Sequence, residues 1–177
     1  WEEVDLGGSA NGAIWTIPAA RMKAGREHRV PLTDEAVELL RAVPRMDDSP
    51  FVFPAARGGQ LSDMALSAVM RRMQEAAEDA ARKAGEPVER AGWRDPRSGR
   101  PAVPHGLRST FRDWCAERGV DHHLAEIALA HNVGSEVERA YRRSDMFERR
   151  RGLMRSWAGR LTGTGGNVVA LAAGGQP

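Results

Sequence analysis

A change in hydrophobic period near residue 33 constrains the fold more than any other feature of this chain. Before it lie three short segments, EEVDL, AIWTIP and EHRVPL, separated by GGSANG and AARMKAGR. Short extended runs punctuated by turn-forming stretches have the spacing of an antiparallel three-stranded meander. After it, apolar residues recur at helical intervals. Thr33 is placed to cap a helix whose first turn carries Asp34 and Glu35, with Ala36, Leu39, Leu40 and Val43 at i, i+3, i+4 and i+7. SPFVFP reads as a short extended piece. Ser62 then caps a longer helix to about Arg82, with Leu66, Val69, Met70 and Met73 on one face, methionines expected to fill core.

Residues 84–104 are rich in Gly, Pro and Arg without periodicity and read as a long surface loop. Helical spacing returns with Leu107, Phe111, Trp114 and Cys115 on one face and Gly119 as the residue that ends the helix. Asp121 caps the next helix, carrying Leu124, Ile127 and Ala128. A last helix is expected from about Asp145 to Arg160, burying Met146, Leu153, Met154 and Trp157. In the tail GTGGNVVALAAGGQP, NVVAL alone has the pattern of a strand. The expected class is α+β, mainly helical, with an amino-terminal antiparallel sheet.

At 177 residues and 41% hydrophobic, the chain has material for one domain with a real core. Its single Cys115 excludes an internal disulfide framework and a cysteine-based zinc knuckle, pointing to an intracellular setting. No run of about twenty apolar residues is present to span a membrane. The sequence opens at Trp1 as if in mid-strand and reads as a piece of a longer protein. Net charge is only +2, but eight arginines lie between Arg139 and Arg160 against Asp145 and Glu148. That excess suits a polyanion; the alternative is a solvated helix face.

The only tyrosine, Tyr141, sits among Arg139, Arg142 and Arg143. A phenol, with a reference pKa near ~10, attacks only if its oxyanion is stabilised or its proton taken. Guanidiniums do the first, and a phosphodiester is the electrophile that suits them; a tyrosine packed under a helix is the other reading. His105 and Arg108 are spaced i, i+3, so one helical turn presents both. His105 also reads as a cap after Pro104. Of 26 basic residues only Lys23 and Lys83 are lysines, and Lys23 falls in the predicted hairpin turn. Lysine can yield a proton to a leaving alkoxide where arginine cannot; chance survival is the alternative. His131 follows an apolar helix end, ten residues before Tyr141, and reads equally as a cap on the helix dipole. His122 and His123 diverge by about 100° on a helix, lack a third ligand, and are left as surface residues.

In order, a hairpin Lys, H-x-x-R, His and then Tyr resembles the tyrosine recombinase (phage integrase) family across most of the chain. HGLRSTFRDWCAERGV and LAEIALAHNVGSEVERAYRRSDMFERRRGLMRSWAGRL look particularly like the integrases of prophages and genomic islands. The resemblance implies a DNA breaking-rejoining enzyme fold, with a catalytic domain over 1–161, truncated at its amino end, and a flexible tail over 162–177. It implies site-specific DNA integration and excision in which Tyr141 attacks the scissile phosphate, forming a 3′-phosphotyrosyl link. Lys23 would protonate the leaving 5′-oxygen, Arg108 would stabilise the non-bridging oxygens, His105 would assist proton transfer and phosphate binding, and His131 would hydrogen-bond the phosphate. No metal or other cofactor is implied. The implied partners are double-stranded DNA at attachment sites, three further copies in a tetramer on that DNA, and an accessory DNA-bending protein. A bacterial cytoplasmic, nucleoid-associated location goes with them.

The family's first catalytic Arg precedes the strand that here begins at Trp1, as do its core-binding and arm-binding domains. The fragment alone is therefore expected to be inactive. Two other readings are a catalytically silent DNA-binding fragment and a type IB topoisomerase-like nicking enzyme.

Overall fold

The computed structural model describes residues 1–8, 12–46, 49–131 and 145–164. Two compact units make up the chain, residues 1–52 with 111–177, and residues 53–110. In the first, β1 (Val4–Asp5), β2 (Ile14–Ile17) and β3 (His28–Pro31) form an antiparallel sheet in the order β1-β2-β3. This is the expected meander. Ile14 pairs with Pro31 and Ile17 with His28; a proline, lacking an N–H, is tolerated at the end of this edge strand. Thr33 caps α1 (Asp34–Ala42), its hydroxyl accepting from the Ala36 N–H at 3.4 Å. The buried residue of α1 is Val37, and Leu39 is exposed, so the inward face is rotated from the one expected.

Three further helices follow the sequence pattern in this unit. α3 (Pro104–Glu117) crosses the division between the units, and α4 (His122–Ala128) and α5 (Phe147–Thr162) complete the set. Their core is Phe111, Trp114 and Cys115 from α3, Leu124 and Ala125 from α4, and Leu153 from α5. Trp157 packs edge-on to Phe111, ring centres 5.4 Å apart, and lies 5.1 Å from Trp114. Burial pushes the Cys115 thiol up to about 11. Met146, Met154 and Trp157 are only partly buried. Asp121 caps α4 through its carboxylate, 2.8 Å from the Leu124 N–H. Gly119, at φ +64°, ends α3, and the Val120 N–H closes the turn onto the Cys115 carbonyl.

The second unit departs further from expectation. α2 (Ala65–Ala84) is preceded by Met64, which makes no side-chain cap, and Ser62 contributes its carbonyl to the Ala65 N–H rather than its hydroxyl. The buried positions of α2 are Gln74 and Ala81, whereas Leu66 is 65% exposed and Val69 and Met73 are exposed too. Met73 therefore fills no core, and Met70 is only half-buried. The physical reason is the partner: α2 packs on the 85–104 segment, and that contact is made through polar groups of Gln74 and Glu78. The segment itself is no simple loop. It holds a 3-10 turn at Val88–Arg90 and a bridge pairing Arg94 with Pro101. Leu107, expected in the core, is 63% exposed because it precedes the part of α3 that packs. NVVAL lies outside the described residues, among which no helix is long and apolar enough to cross a membrane.

Candidate functional site

Lys23 sits in the turn between β2 and β3, as expected from its hairpin position. A 3-10 turn at Ala19–Arg21 carries the chain out of β2, and the Gly25 N–H returns to the Met22 carbonyl at 2.9 Å with Gly25 at φ +63°. Glu3 braces this turn by accepting from Trp15 Nε1 at 3.1 Å and pairing with Arg21 at 2.5 Å. The Trp15 hydrogen bond, then that from Arg21, hold the Glu3 carboxyl below its ordinary range. The exposed Lys23, with Met22 and Ala24, forms one wall of a cleft of about 450 Å³ whose other wall is Ala130 and His131.

His131 reaches that cleft through the way α4 ends. Ala130 adopts φ +57°, its N–H bonds to the Ile127 carbonyl at 3.0 Å, and the His131 N–H bonds to the Glu126 carbonyl at 3.0 Å. This is a Schellman closure with alanine where glycine is usual. The histidine side chain turns back on the same residue, Nδ1 lying 2.8 Å from Glu126 Oε2. The other carboxylate oxygen lies 2.8 Å from Arg112 Nε. Glu126 Oε1 has no well-aimed donor, so this second contact is an ion pair rather than a directed hydrogen bond. Because a carboxylate only accepts, Nδ1 carries the proton of this contact, which fixes the ring's orientation. Neither Glu126 nor Arg112 was found from the sequence; a glutamate amid the apolar residues of a short helix, five before a candidate histidine, was the available signal.

The chain is also pinned just after residues 132–144. Asp145 Oδ2 accepts from Arg29 Nη2 at 2.8 Å and from Arg150 Nη2 at 3.0 Å, linking β3 to the start of α5. Burial alone would raise the Asp145 carboxyl, but the Arg29 hydrogen bond and the charges of Arg150 and Arg29 outweigh it and hold it low. Arg150 is 1% exposed and donates further to the carbonyls of Asp145 and Arg29. Arg29, Arg150 and Arg151 surround the Phe147 ring at 4.9, 5.5 and 5.0 Å. Part of the arginine excess read as a polyanion attractor is thus structural, and Arg150 is out of reach of any ligand.

His105 and Arg108 lie one turn apart at the start of α3, both exposed, in the 53–110 unit, and Lys23 and His131 belong to the other unit. Tyr141 lies outside the described residues. His122 and His123 are exposed with ring centres 6.1 Å apart, and among the described residues no group of three or more His, Cys, Asp or Glu is arranged to hold a metal ion.

Residues 1–148 match the model of the phage integrase family. The chain is 35% identical over 161 residues to the prophage integrase IntA of Escherichia coli (strain K12), covering 89% of this chain and 32% of that protein. It is 35% identical over 160 residues to the prophage integrase IntZ of the same strain, covering 89% and 33%. Against the integrase of Shigella phage Sf6 it is 28% identical over 160 residues, covering 89% and 35%. The chain thus spans about a third of the length of the curated relatives it matches. No solved structure matches it. With a mixed fold opening on a three-stranded meander and a family match over most of its length, the chain belongs to the phage integrase family of tyrosine recombinases.

Proposed function

We propose that this chain is the catalytic part of a site-specific DNA recombinase that cleaves and rejoins duplex DNA through Tyr141. The observation that carries the reading is the shared cleft of Lys23 and His131, residues 108 positions apart that come from a hairpin turn and a helix end. On this reading Tyr141 attacks the scissile phosphorus while its phenolic proton passes, with the help of His105, to solvent; the 5′-oxygen leaves, and a 3′-phosphotyrosyl bond retains the energy for religation. Lys23 gives the leaving oxygen its proton. Arg108 stabilises the non-bridging oxygens, His105 assists proton transfer and phosphate binding, and His131, steadied by Glu126, hydrogen-bonds the same phosphate. The chemistry is positioning and charge stabilisation, with no metal ion or nucleotide required. The working assembly is a tetramer on paired attachment sites.

A suicide substrate tests the reading in a chain extended upstream of Trp1. A covalent protein–DNA adduct is expected, and Tyr141→Phe should abolish it. An adduct that survives this substitution overturns the assignment, and absence of any adduct favours a DNA-binding module. Holliday-junction formation separates a recombinase from a topoisomerase-like enzyme. Lys23→Arg should slow cleavage at nearly unchanged DNA affinity, and a substrate with sulfur at the 5′-bridging position should restore its rate. Failure of that rescue removes Lys23 from the proton-donor role.

A further inference from the structure

The segment between α2 and α3 holds none of the proposed catalytic residues, yet it is built more tightly than a surface connection requires. Two short extended pieces pair as a ribbon: the Ala102 N–H donates to the Trp93 carbonyl at 2.8 Å and the Asp95 N–H to the Arg100 carbonyl at 2.9 Å. At the tip the Asp95 carboxylate accepts from the Arg97 N–H at 3.0 Å and the Ser98 N–H at 2.6 Å, and the Gly99 N–H returns to the Asp95 carbonyl. The hydrogen bonds from Ser98, foremost its N–H, hold the Asp95 carboxyl below its usual range.

The base of the ribbon is latched to α2 by Gln74, which is 5% exposed. Its Oε1 accepts from the Trp93 N–H at 2.8 Å, and its Nε2 donates to the Ala91 carbonyl at 3.0 Å and to Glu78 at 2.8 Å. Arg94 pairs with Glu78 and donates to the Gly99 carbonyl at 2.9 Å. Gly92 makes the latch possible. It stands at φ +72°, and a Cβ there would lie 2.3 Å from Gln74 Oε1.

An isolated hairpin is marginal in water, and a buried amide is tolerated only when its hydrogen bonds are met. Here both conditions are satisfied for a ribbon that buries little apolar surface. What the arrangement yields is a fixed position for exposed cations: Arg97 and Arg100 at the tip and Arg90 near the base, the carboxylate of Glu78 being already taken up by Arg94. The planar guanidinium fork matches phosphate oxygens. The returning piece runs through Pro104 directly into the turn of α3 that carries His105 and Arg108, in the same unit.

We propose that residues 90–101 form a preorganised arm that binds the phosphate backbone of duplex DNA flanking the cleavage point through Arg97 and Arg100. This rests on the reading of His105 and Arg108 as phosphate-binding residues. The test is fluorescence anisotropy of the 177-residue chain with a labelled duplex of about 30 base pairs, titrated at salt concentrations from about 50 to 200 mM. Removing two phosphate contacts lowers the slope of log affinity against log salt by about 2, and Arg97→Ala with Arg100→Ala is expected to do so while the circular dichroism stays unchanged. Gly92→Ala keeps both arginines but displaces Gln74 from Trp93 and Ala91; binding roughly threefold weaker is expected from the lost preorganisation. If the wild-type chain binds DNA and the double variant keeps the same slope, the arm is overturned and the proposed function stands. Gly92→Ala binding as tightly as wild type overturns the preorganisation. A wild-type chain that binds no duplex overturns the arm, while the adduct assay in the extended chain decides the proposed function separately.

Discussion

Glu126 carries a charge into a largely apolar helix and spends both its oxygens on side chains from elsewhere, Arg112 and His131. A carboxylate so placed fixes which nitrogen of the imidazole faces the cleft, and the loss of such an orienting partner commonly costs ten- to a hundredfold in function, about what is known for histidines on metals. Glu126→Ala is expected to lower single-turnover cleavage roughly tenfold in the extended protein, with DNA affinity within about twofold. Comparable loss of both quantities, or of neither, would take Glu126 out of the positioning role. The position of His131 just after an apolar helix end was itself legible in the sequence. Its partner was not, because a glutamate five residues earlier faces the histidine only through the turn that Ala130 makes.

Two helix ends in this chain solve one problem with different residues. α3 closes on Gly119 at φ +64° and α4 on Ala130 at φ +57°. For an L-residue the left-handed conformation costs about 1–2 kcal/mol, offset in part because alanine loses less backbone freedom than glycine on folding. Ala130→Gly is therefore expected to stabilise the chain by about 0.5–1 kcal/mol in urea denaturation. Gly119→Ala should destabilise it by about 1 kcal/mol; a Cβ there meets nothing within 4 Å, so the cost is conformational alone. Opposite signs at the two positions are the check. If Ala130→Gly stabilises yet slows cleavage, the alanine serves the placement of His131 rather than the helix. Among the described residues each α-helix was readable from its period, and Thr33, Asp121 and Gly119, which act locally, marked their ends as expected, whereas the cap expected from Ser62 was not made. The inward faces of α1 and α2 were not readable, because apolar residues at helical spacing specify a stripe without saying what it will meet.

Across the whole molecule, the first sheet and the last helix are joined by a clamp of Arg29, Asp145 and Arg150. Removing one member of a buried pair costs about 3–5 kcal/mol. Because Asp145 is 38% exposed by side chain and keeps Arg29, Arg150→Ala is placed at the lower end, about 3 kcal/mol in chemical denaturation. A loss under about 1 kcal/mol would show the clamp to be incidental. The clamp also sets an acid limb. Asp145 is depressed in the folded state, so its contribution is present above the unfolded carboxylate value of about 4 and is lost as pH falls through the lower folded value. The melting temperature is expected to hold between about pH 8 and 5 and to fall below about pH 4, with Asp145→Asn lowering it at neutral pH and narrowing the gap to wild type in acid. A constant gap down to pH 3 would contradict that assignment; Glu3, also depressed, adds to the fall in both chains.

The order of the described strands and helices, most of the residues that start and stop them, and the family were determined by the sequence alone, because each depends on neighbours within about one turn or on a linear order of residue types. The meander, the caps at Thr33 and Asp121 and the terminator Gly119 are of this kind. Which charges serve structure was decided only in three dimensions. Arg150 and Arg155 look alike in a run of arginines, yet the first is sealed against Asp145 and the second is exposed, a difference set by a strand more than a hundred residues earlier. The same holds for the Arg-rich segment before α3, which has no periodicity of its own. It acquires order from Gln74, a buried amide on another element whose hydrogen bonds no local pattern could announce.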